Sequence, residues 1–150
     1  MAKPRRLWDS DVIIAFLKGE PRAKTCEEII EYAEKGEVEI VVSMLTHVEV
    51  ARLDGSAQDE DVIQEFFRRP YVISVNIDRR VAVEARRLLR TRLMKKPLDA
   101  VQAASAVVQK IPLLETYNVD DFKNVAGQGN PPLEVREPGW MGQSSLFPAP

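Results

Sequence analysis

Cysteine is nearly absent from this chain of 150 residues. Cys26 stands alone, so no intramolecular disulfide can form, and a reducing compartment suits the protein. The single histidine, His47, cannot build a zinc site with one cysteine; it is expected on a helix face without a catalytic role. Long apolar runs are missing as well. Val12–Leu17 and Ile40–Val42 are the longest, far below the ~20 residues of a membrane-crossing helix. The opening Met1-Ala2-Lys3-Pro4-Arg5-Arg6 has charge but no apolar core, which speaks against a secretory signal. No G-x-x-x-x-G-K-[ST] or G-x-G-x-x-G loop occurs, so a glycine cradle for nucleotide phosphates is excluded. A G-x-S-x-G nucleophile elbow is absent too. The expectation is a soluble, cytoplasmic protein with no membrane contact. At 45% hydrophobic residues, this length can bury a core without disulfide or structural metal. Residues 1–137 read as one domain, and 138–150 as a flexible tail.

What the chain does have is charge, and it is segregated. The net charge is −2, which by itself does not suggest a nucleic-acid binder. Between Glu27 and Glu39, however, six acids face Lys35 alone, the composition of a solvated helix face. Between Arg79 and Lys96, eight bases face Glu84 alone. A patch of one sign inside an acidic protein is either another solvated face or an electrostatic footprint for a phosphate backbone.

Periodicity supplies the elements. A short strand ends near Asp9, and a helix runs through about Leu17, closed by Gly19 and Pro21. Thr25 to Lys35 carries Ile29, Ile30 and Ala33 at helical spacing and stops at Gly36. Val38–Val42 is a buried strand, followed by a helix capped by Ser43 or Thr46 and reaching about Leu53. Asp59–Arg69 is a helix ended by Pro70, Tyr71–Val75 a strand, and Asp78 caps a helix to about Arg92. Leu98–Gln109 is a helix of small residues, Ile111–Leu114 a strand, and Leu133–Val135 an edge strand. Strands alternating with helices predict a three-layer α/β/α fold around a mainly parallel sheet of about five strands.

In such a sheet, ligands bind beyond the carboxyl ends of the strands. Four separate segments send carboxylates there. Asp9 and Asp11 follow the first strand, and Glu49 lies in the helix after the second. Asp99 opens the small-residue helix, and Asp120 and Asp121 lie in the loop after Leu113-Leu114. Each has a plain structural explanation: turn and cap chemistry for Asp9-Ser10-Asp11, an ion pair with Arg52 for Glu49, the helix N-terminus for Asp99, and a solvated turn for Asp120-Asp121. The common pattern is what argues for more. Carboxylates sharing a crevice repel one another unless a hard cation neutralises them, and oxygen-only ligands suit Mg²⁺ or Mn²⁺.

With those residues in view, the chain resembles the PIN-domain ribonucleases, most closely the VapC-type toxins of toxin–antitoxin pairs. The resemblance rests on Trp8-Asp9-Ser10-Asp11-Val12-Ile13, Thr46-His47-Val48-Glu49, Leu98-Asp99-Ala100-Val101-Gln102-Ala103-Ala104 and Thr116-Tyr117-Asn118-Val119-Asp120-Asp121-Phe122, in that order, from about Arg6 to Val135. It implies a catalytic set of Asp9, Glu49, Asp99 and Asp121, with Mg²⁺ or Mn²⁺ held by Asp9, Asp99 and Asp121. Asn118 stands where the commonest form of the fourth motif has an acid. A T-x-N-x-x-D-F form points to Asp121, leaving Asn118, Asp120 and Asp121 as alternatives for the metal-facing position. Ser10, Thr116 and Asn118 are the implied supporting residues.

The implied activity is metal-dependent endoribonuclease action, with Arg86, Arg90, Arg92, Lys95 and Lys96 holding the RNA backbone. A cognate antitoxin and a homodimer are the implied partners. Ile13, Ile14, Phe16 and Leu17 either form an apolar docking groove for the antitoxin or are plain core. Two rival readings compete. Asp9-Ser10-Asp11 also resembles the D-x-D opening of haloacid-dehalogenase phosphohydrolases, with Asp9 as nucleophile and Ser43, Lys95 and Asp120-Asp121 forced onto the later motifs. A non-catalytic PIN-like binding module is the other.

Overall fold

The computed structural model of the protein describes residues 3–53 and 57–139. Strand β1 (Arg5–Trp8) leads into α1 (Ser10–Lys18), a 3-10 turn (Pro21–Ala23) and α2 (Lys24–Glu34). Then come β2 (Glu39–Ser43), α3 (Met44–Glu49), a second 3-10 turn (Val50–Arg52), α4 (Ala57–Phe67) and β3 (Val72–Val75). The second half contributes α5 (Arg79–Arg90), α6 (Pro97–Val108), β4 (Leu113–Glu115), α7 (Val119–Phe122), a third 3-10 turn (Lys123–Val125) and β5 (Glu134–Arg136).

The five strands are all parallel, in the order β3-β2-β1-β4-β5. The chain therefore winds outward from β1 to β3, then returns to the other side of β1 for β4 and β5. The reversal falls between β1 and β4, where Leu7 pairs with Leu114 and Trp8 with Glu115. A crevice opens beyond the carboxyl ends at such a switch point.

Alternation along the strands divides the core in two. Trp8, Ile40 and Val42 face one side, with Val12 and Ile13 of α1, Ile29 and Ile30 of α2 and Phe66 of α4. Leu7, Val41 and Leu114 face the other, with Val81, Ala85 and Leu88 of α5, Ala100, Ala103 and Ala104 of α6 and Phe122 of α7. The alanines let α6 lie close to the sheet. Helix covers both faces, the three-layer arrangement expected from the sequence.

The caps follow expectation: Ser43 Oγ accepts from Leu45 N at 3.1 Å, and Asp78 Oδ1 from Val81 N at 3.0 Å. Three details differ. The α-helix after β2 ends at Glu49 and tightens into a 3-10 turn rather than continuing to Leu53. Asp120 and Asp121 lie in a short helix, α7, not in a loop, because Phe122 is buried in the core and draws the segment in. Pro138 and Gly139, expected in the tail, are buried. Thr25 Oγ1 donates to the Pro138 carbonyl at 3.1 Å, and Gly139 N to Glu115 Oε2 at 3.1 Å. The rest of the expected tail, 140–150, lies outside the described residues. The apolar residues of α1 are core: Ile13 is buried, and Ile14, Phe16 and Leu17 are partly buried against the same cluster. Phe16 lies 6.1 Å from Trp8 and 5.8 Å from Phe66, ring to ring.

Candidate active site at the sheet switch point

Asp9 caps α1 directly after β1, and its amide donates to the Glu115 carbonyl at 3.0 Å, continuing the β1–β4 ladder. Its side chain is pinned twice. Oδ1 accepts from Ser10 N at 2.8 Å, and Oδ2 accepts from Thr116 Oγ1 at 2.8 Å. Thr116 follows β4, so the two strands that flank the switch point hold this carboxylate between them. Asn118 N in turn donates to Thr116 Oγ1 at 3.0 Å. The contribution of Asn118 is thus its backbone.

Burial, then the nearby charge of Asp11, pushes the Asp9 carboxyl from 3.8 up to about 8, against the two hydrogen bonds that favour its charged form. Asp11 is also raised, chiefly by burial, although Tyr117 N donates to its Oδ2 at 3.2 Å and the Asp9 side chain, then the charge of Arg22, pull it down. Its Oδ1 is buried without a hydrogen-bond partner. Asp99, in the first turn of α6, is raised by burial first and by the charge of Asp121 second, with Lys96 opposing and Glu49 and Asp11 adding. Asp9, Asp11, Glu49, Asp99 and Asp121 therefore lie within reach of one another's fields.

Glu49 enters from α3. Its Oε1 accepts from Ser10 Oγ at 2.7 Å and from Gln102 Nε2 at 3.3 Å. Ser10 Oγ and Thr46 Oγ1 are 3.0 Å apart, and Gln102 Nε2 donates to both, at 3.1 and 3.0 Å. Arg52, the alternative partner of Glu49, donates to its backbone carbonyl instead. Asp121 is 41% exposed and takes Lys96 Nζ on Oδ2 at 3.0 Å. Asp120 is exposed. A cavity of about 270 Å³ lies beside Asp99 and Asp121, with Lys95 and Lys96 in its wall. Arg86 and Arg90 on α5, and Arg92 and Lys95 beyond it, are exposed and make no ion pair among the described residues.

Sequence reasoning missed several residues. Gln102 and Thr46 lay inside the quoted motifs without a role. A glutamine three positions after Asp99, among Ala100, Ala103 and Ala104 on a helix that packs on the sheet, was the available signal. Arg6 and Glu115 are fully buried and paired at 2.8 Å; nothing in a short strand pattern announces them.

Among the described residues, no three Asp, Glu, His or Cys side chains stand close enough to enclose a metal ion. The donor set nevertheless fits a hard cation that keeps part of its water shell. The carboxylates repel one another in a buried crevice, and Asp11 Oδ1 is orphaned there. The nucleophile reading of Asp9 assigns no role to Glu49 or Asp99, which the fold brings to the same crevice. Ser43 is fully buried and spends its oxygen on the α3 cap.

The PIN domain family model matches residues 7–128. No curated protein sequence matches the chain. Solved structures do. VapBC2 from Rickettsia felis, bound to a DNA fragment from its promoter, has a TM-score of 0.67 at 15% identity, covering 87% of this chain and 98% of that one. A toxin–antitoxin complex from Klebsiella pneumoniae has 0.64 at 21% identity, covering 90% and 98%. FitAcB from Neisseria gonorrhoeae has 0.56 at 18% identity, covering 89% and 97%.

Proposed function

The chain belongs to the PIN domain family, and from that premise we propose that it is a Mg²⁺- or Mn²⁺-dependent endoribonuclease, the toxin of a toxin–antitoxin pair. The observation that carries this reading is the crevice at the β1–β4 switch point, where burial first, with neighbouring carboxylates adding at Asp9 and Asp99, raises the proton affinity of Asp9, Asp11 and Asp99. Carboxylates with raised proton affinity gathered in a crevice are the arrangement that active sites use.

Asp9, Asp99 and Asp121 would hold the ion. When bound, it supplies Lewis acidity toward a phosphoryl oxygen and lowers the pKa of water. Thr116 Oγ1 and Ser10 N fix Asp9 in the orientation it needs. Ser10 and Gln102 occupy Glu49 Oε1, which leaves Oε2 to orient the attacking water and take its proton. In-line attack on phosphorus breaks the P–O3′ bond, and the departing 3′ oxygen takes a proton from solvent water, leaving 5′-phosphate and 3′-hydroxyl ends. Arg86, Arg90, Arg92, Lys95 and Lys96 hold the RNA backbone without reading its sequence. Single-stranded or looped RNA is the substrate class, because only splayed bases are open to a protein.

The partners follow from the same reading. The solved neighbours include toxin–antitoxin complexes, which supports a cognate antitoxin for this chain; a homodimer and a cytoplasmic location accompany it. No described helix is long and apolar enough to cross a membrane.

The test is cleavage of single-stranded and structured RNA beside a generic phosphomonoester. Cleavage of RNA alone is expected, abolished by EDTA, by Asp9→Asn and by Asp99→Asn. Persistent RNA cleavage by the Asp99→Asn protein overturns the assignment. Growth arrest on expressing the chain alone, relieved by a neighbouring small protein, tests the toxin role. Harmless expression removes that role while leaving a nuclease.

A further inference from the structure

The acid crevice meets a cation at two places. At one, Lys96 meets Asp121. At the other lies Asp11, and Tyr117 ties it to an arginine outside the basic stretch. The Tyr117 amide donates to Asp11 Oδ2 at 3.2 Å, while the guanidinium carbon of Arg22 stands 4.1 Å from the centre of the Tyr117 ring. The Tyr117 hydroxyl donates to the Arg22 carbonyl at 3.2 Å. The backbone of Arg22 is set by the 3-10 turn Pro21–Ala23, whose Ala23 is buried. Its one ion pair among the described residues, with Glu20 at 3.6 Å, joins two partly exposed side chains and holds it only weakly.

A guanidinium lying on an aromatic ring keeps its edge donors free while the stack limits its motion. That suits it to take a phosphate at small entropic cost. A strand laid over a negative crevice also needs cations on both sides of the scissile bond, since a single flank leaves the other side repelled. Beyond Arg22, the exposed Lys24 opens α2, and then the exposed Glu27, Glu28, Glu31 and Glu34 repel phosphate, so the track stops at the start of α2.

We propose that Arg22, stacked on Tyr117, is a substrate-binding residue that takes an RNA phosphate at the Asp11 edge of the crevice. The inference rests on the ribonuclease reading above, and its test separates the two. Binding of a short fluorescent single-stranded RNA is measured by anisotropy across a salt series with Mg²⁺, in an Asp99→Asn background. Cleavage is measured in the otherwise unaltered chain. Arg22→Ala is expected to weaken binding about tenfold and to lower the salt slope by roughly 0.7, the share of one phosphate on a single strand. Arg22→Lys keeps the charge but loses the flat fork, and recovers only part of the affinity. Tyr117→Leu removes the platform and leaves the charge, and falls between the two. Lys35→Ala, at the far end of α2, is expected to change nothing.

Unchanged affinity and slope in Arg22→Ala overturn the assignment, as does a loss no larger than that of Lys35→Ala. Intact binding with lost cleavage also overturns it, because Arg22 then acts on the carboxylates. In each of these cases the nuclease reading stands. An unaltered chain that neither binds nor cleaves RNA overturns both.

Discussion

Replacing Glu115 by leucine removes the charge that closes the sheet beneath the acids. Glu115 and Arg6 are both fully buried, with Arg6 Nη1 donating to Oε1 at 2.8 Å. Trp8 Nε1 donates to the same oxygen at 2.9 Å and Gly139 N to Oε2 at 3.1 Å, with Arg136 Nε 3.8 Å away. Glu115→Leu leaves the permanent charge of Arg6 buried without this carboxylate and strips Trp8 and Gly139 of an acceptor. Breaking one side of a buried pair costs about 3–5 kcal/mol, and each stranded donor adds about 1 kcal/mol. A domain of this size loses roughly 2–4 °C per kcal/mol, so the melting temperature is expected to fall by about 10 °C or more. Arg6→Met with Glu115→Leu removes both ions, and should regain much of the pair's share but not that of Trp8 and Gly139. Urea melts of the four proteins in a double-mutant cycle give the coupling energy, expected at about 2 kcal/mol or above. A loss under about 3 °C for Glu115→Leu, or a double mutant no better than the poorer single, refutes the argument.

Three further outcomes are expected. Gln102→Met keeps the length but removes the donor to Ser10, Thr46 and Glu49; kcat should fall about tenfold, the value of one charge-assisted hydrogen bond, with KM little changed. An equal KM rise in steady-state assays would argue for a binding role instead. Arg86→Ala with Arg90→Ala should weaken RNA uniformly across sequences and lower the salt slope by roughly 1.4, read by anisotropy. Asp9 is raised from 3.8 to about 8 in the fold, so its protonated form is the one that favours folding. Its contribution is complete below about pH 4 and is lost as pH rises toward 8. In EDTA, Asp9→Asn should therefore melt above the unaltered chain at pH 8, with the gap closing toward pH 4. A gap independent of pH would show that Asp9 carries no such penalty.

The parts of this molecule that a sequence can announce are those built on periodicity and local chemistry. The β-branched run at Val38–Val42, the small-residue face of α6 and the caps at Ser43 and Asp78 each act within a few residues, and each formed where the pattern placed it. The five-stranded parallel sheet follows from their alternation. Asp9, Asp11 and Asp99 were legible because they sit at strand exits and helix starts, positions that topology carries to one end of the sheet. Other features depend on distant partners. Arg6 reads as one more base near the N-terminus until Glu115, 109 positions away, is laid beside it by the β1–β4 register. Gln102 needs Ser10 and Thr46, and Arg22 needs Tyr117. The segment after β4 looked like a loop because its four-residue helix is too short to show a period; the burial of Phe122 makes it one.

The two buried groups of charges in this fold are treated in opposite ways. Glu115 is closed: it has three hydrogen bonds and two guanidinium neighbours, so the cost of burying it is met inside the protein. Asp11 accepts from Tyr117 N on one oxygen, while its Oδ1 is buried without a hydrogen-bond partner, and burial first, then the charge of Asp11, raises the proton affinity of Asp9 beside it. Polar groups buried for stability alone end up satisfied, since each orphan costs about 1–3 kcal/mol. Asp11 Oδ1 bears that cost, and in the proposed ribonuclease a cation bound in the crevice would offset it.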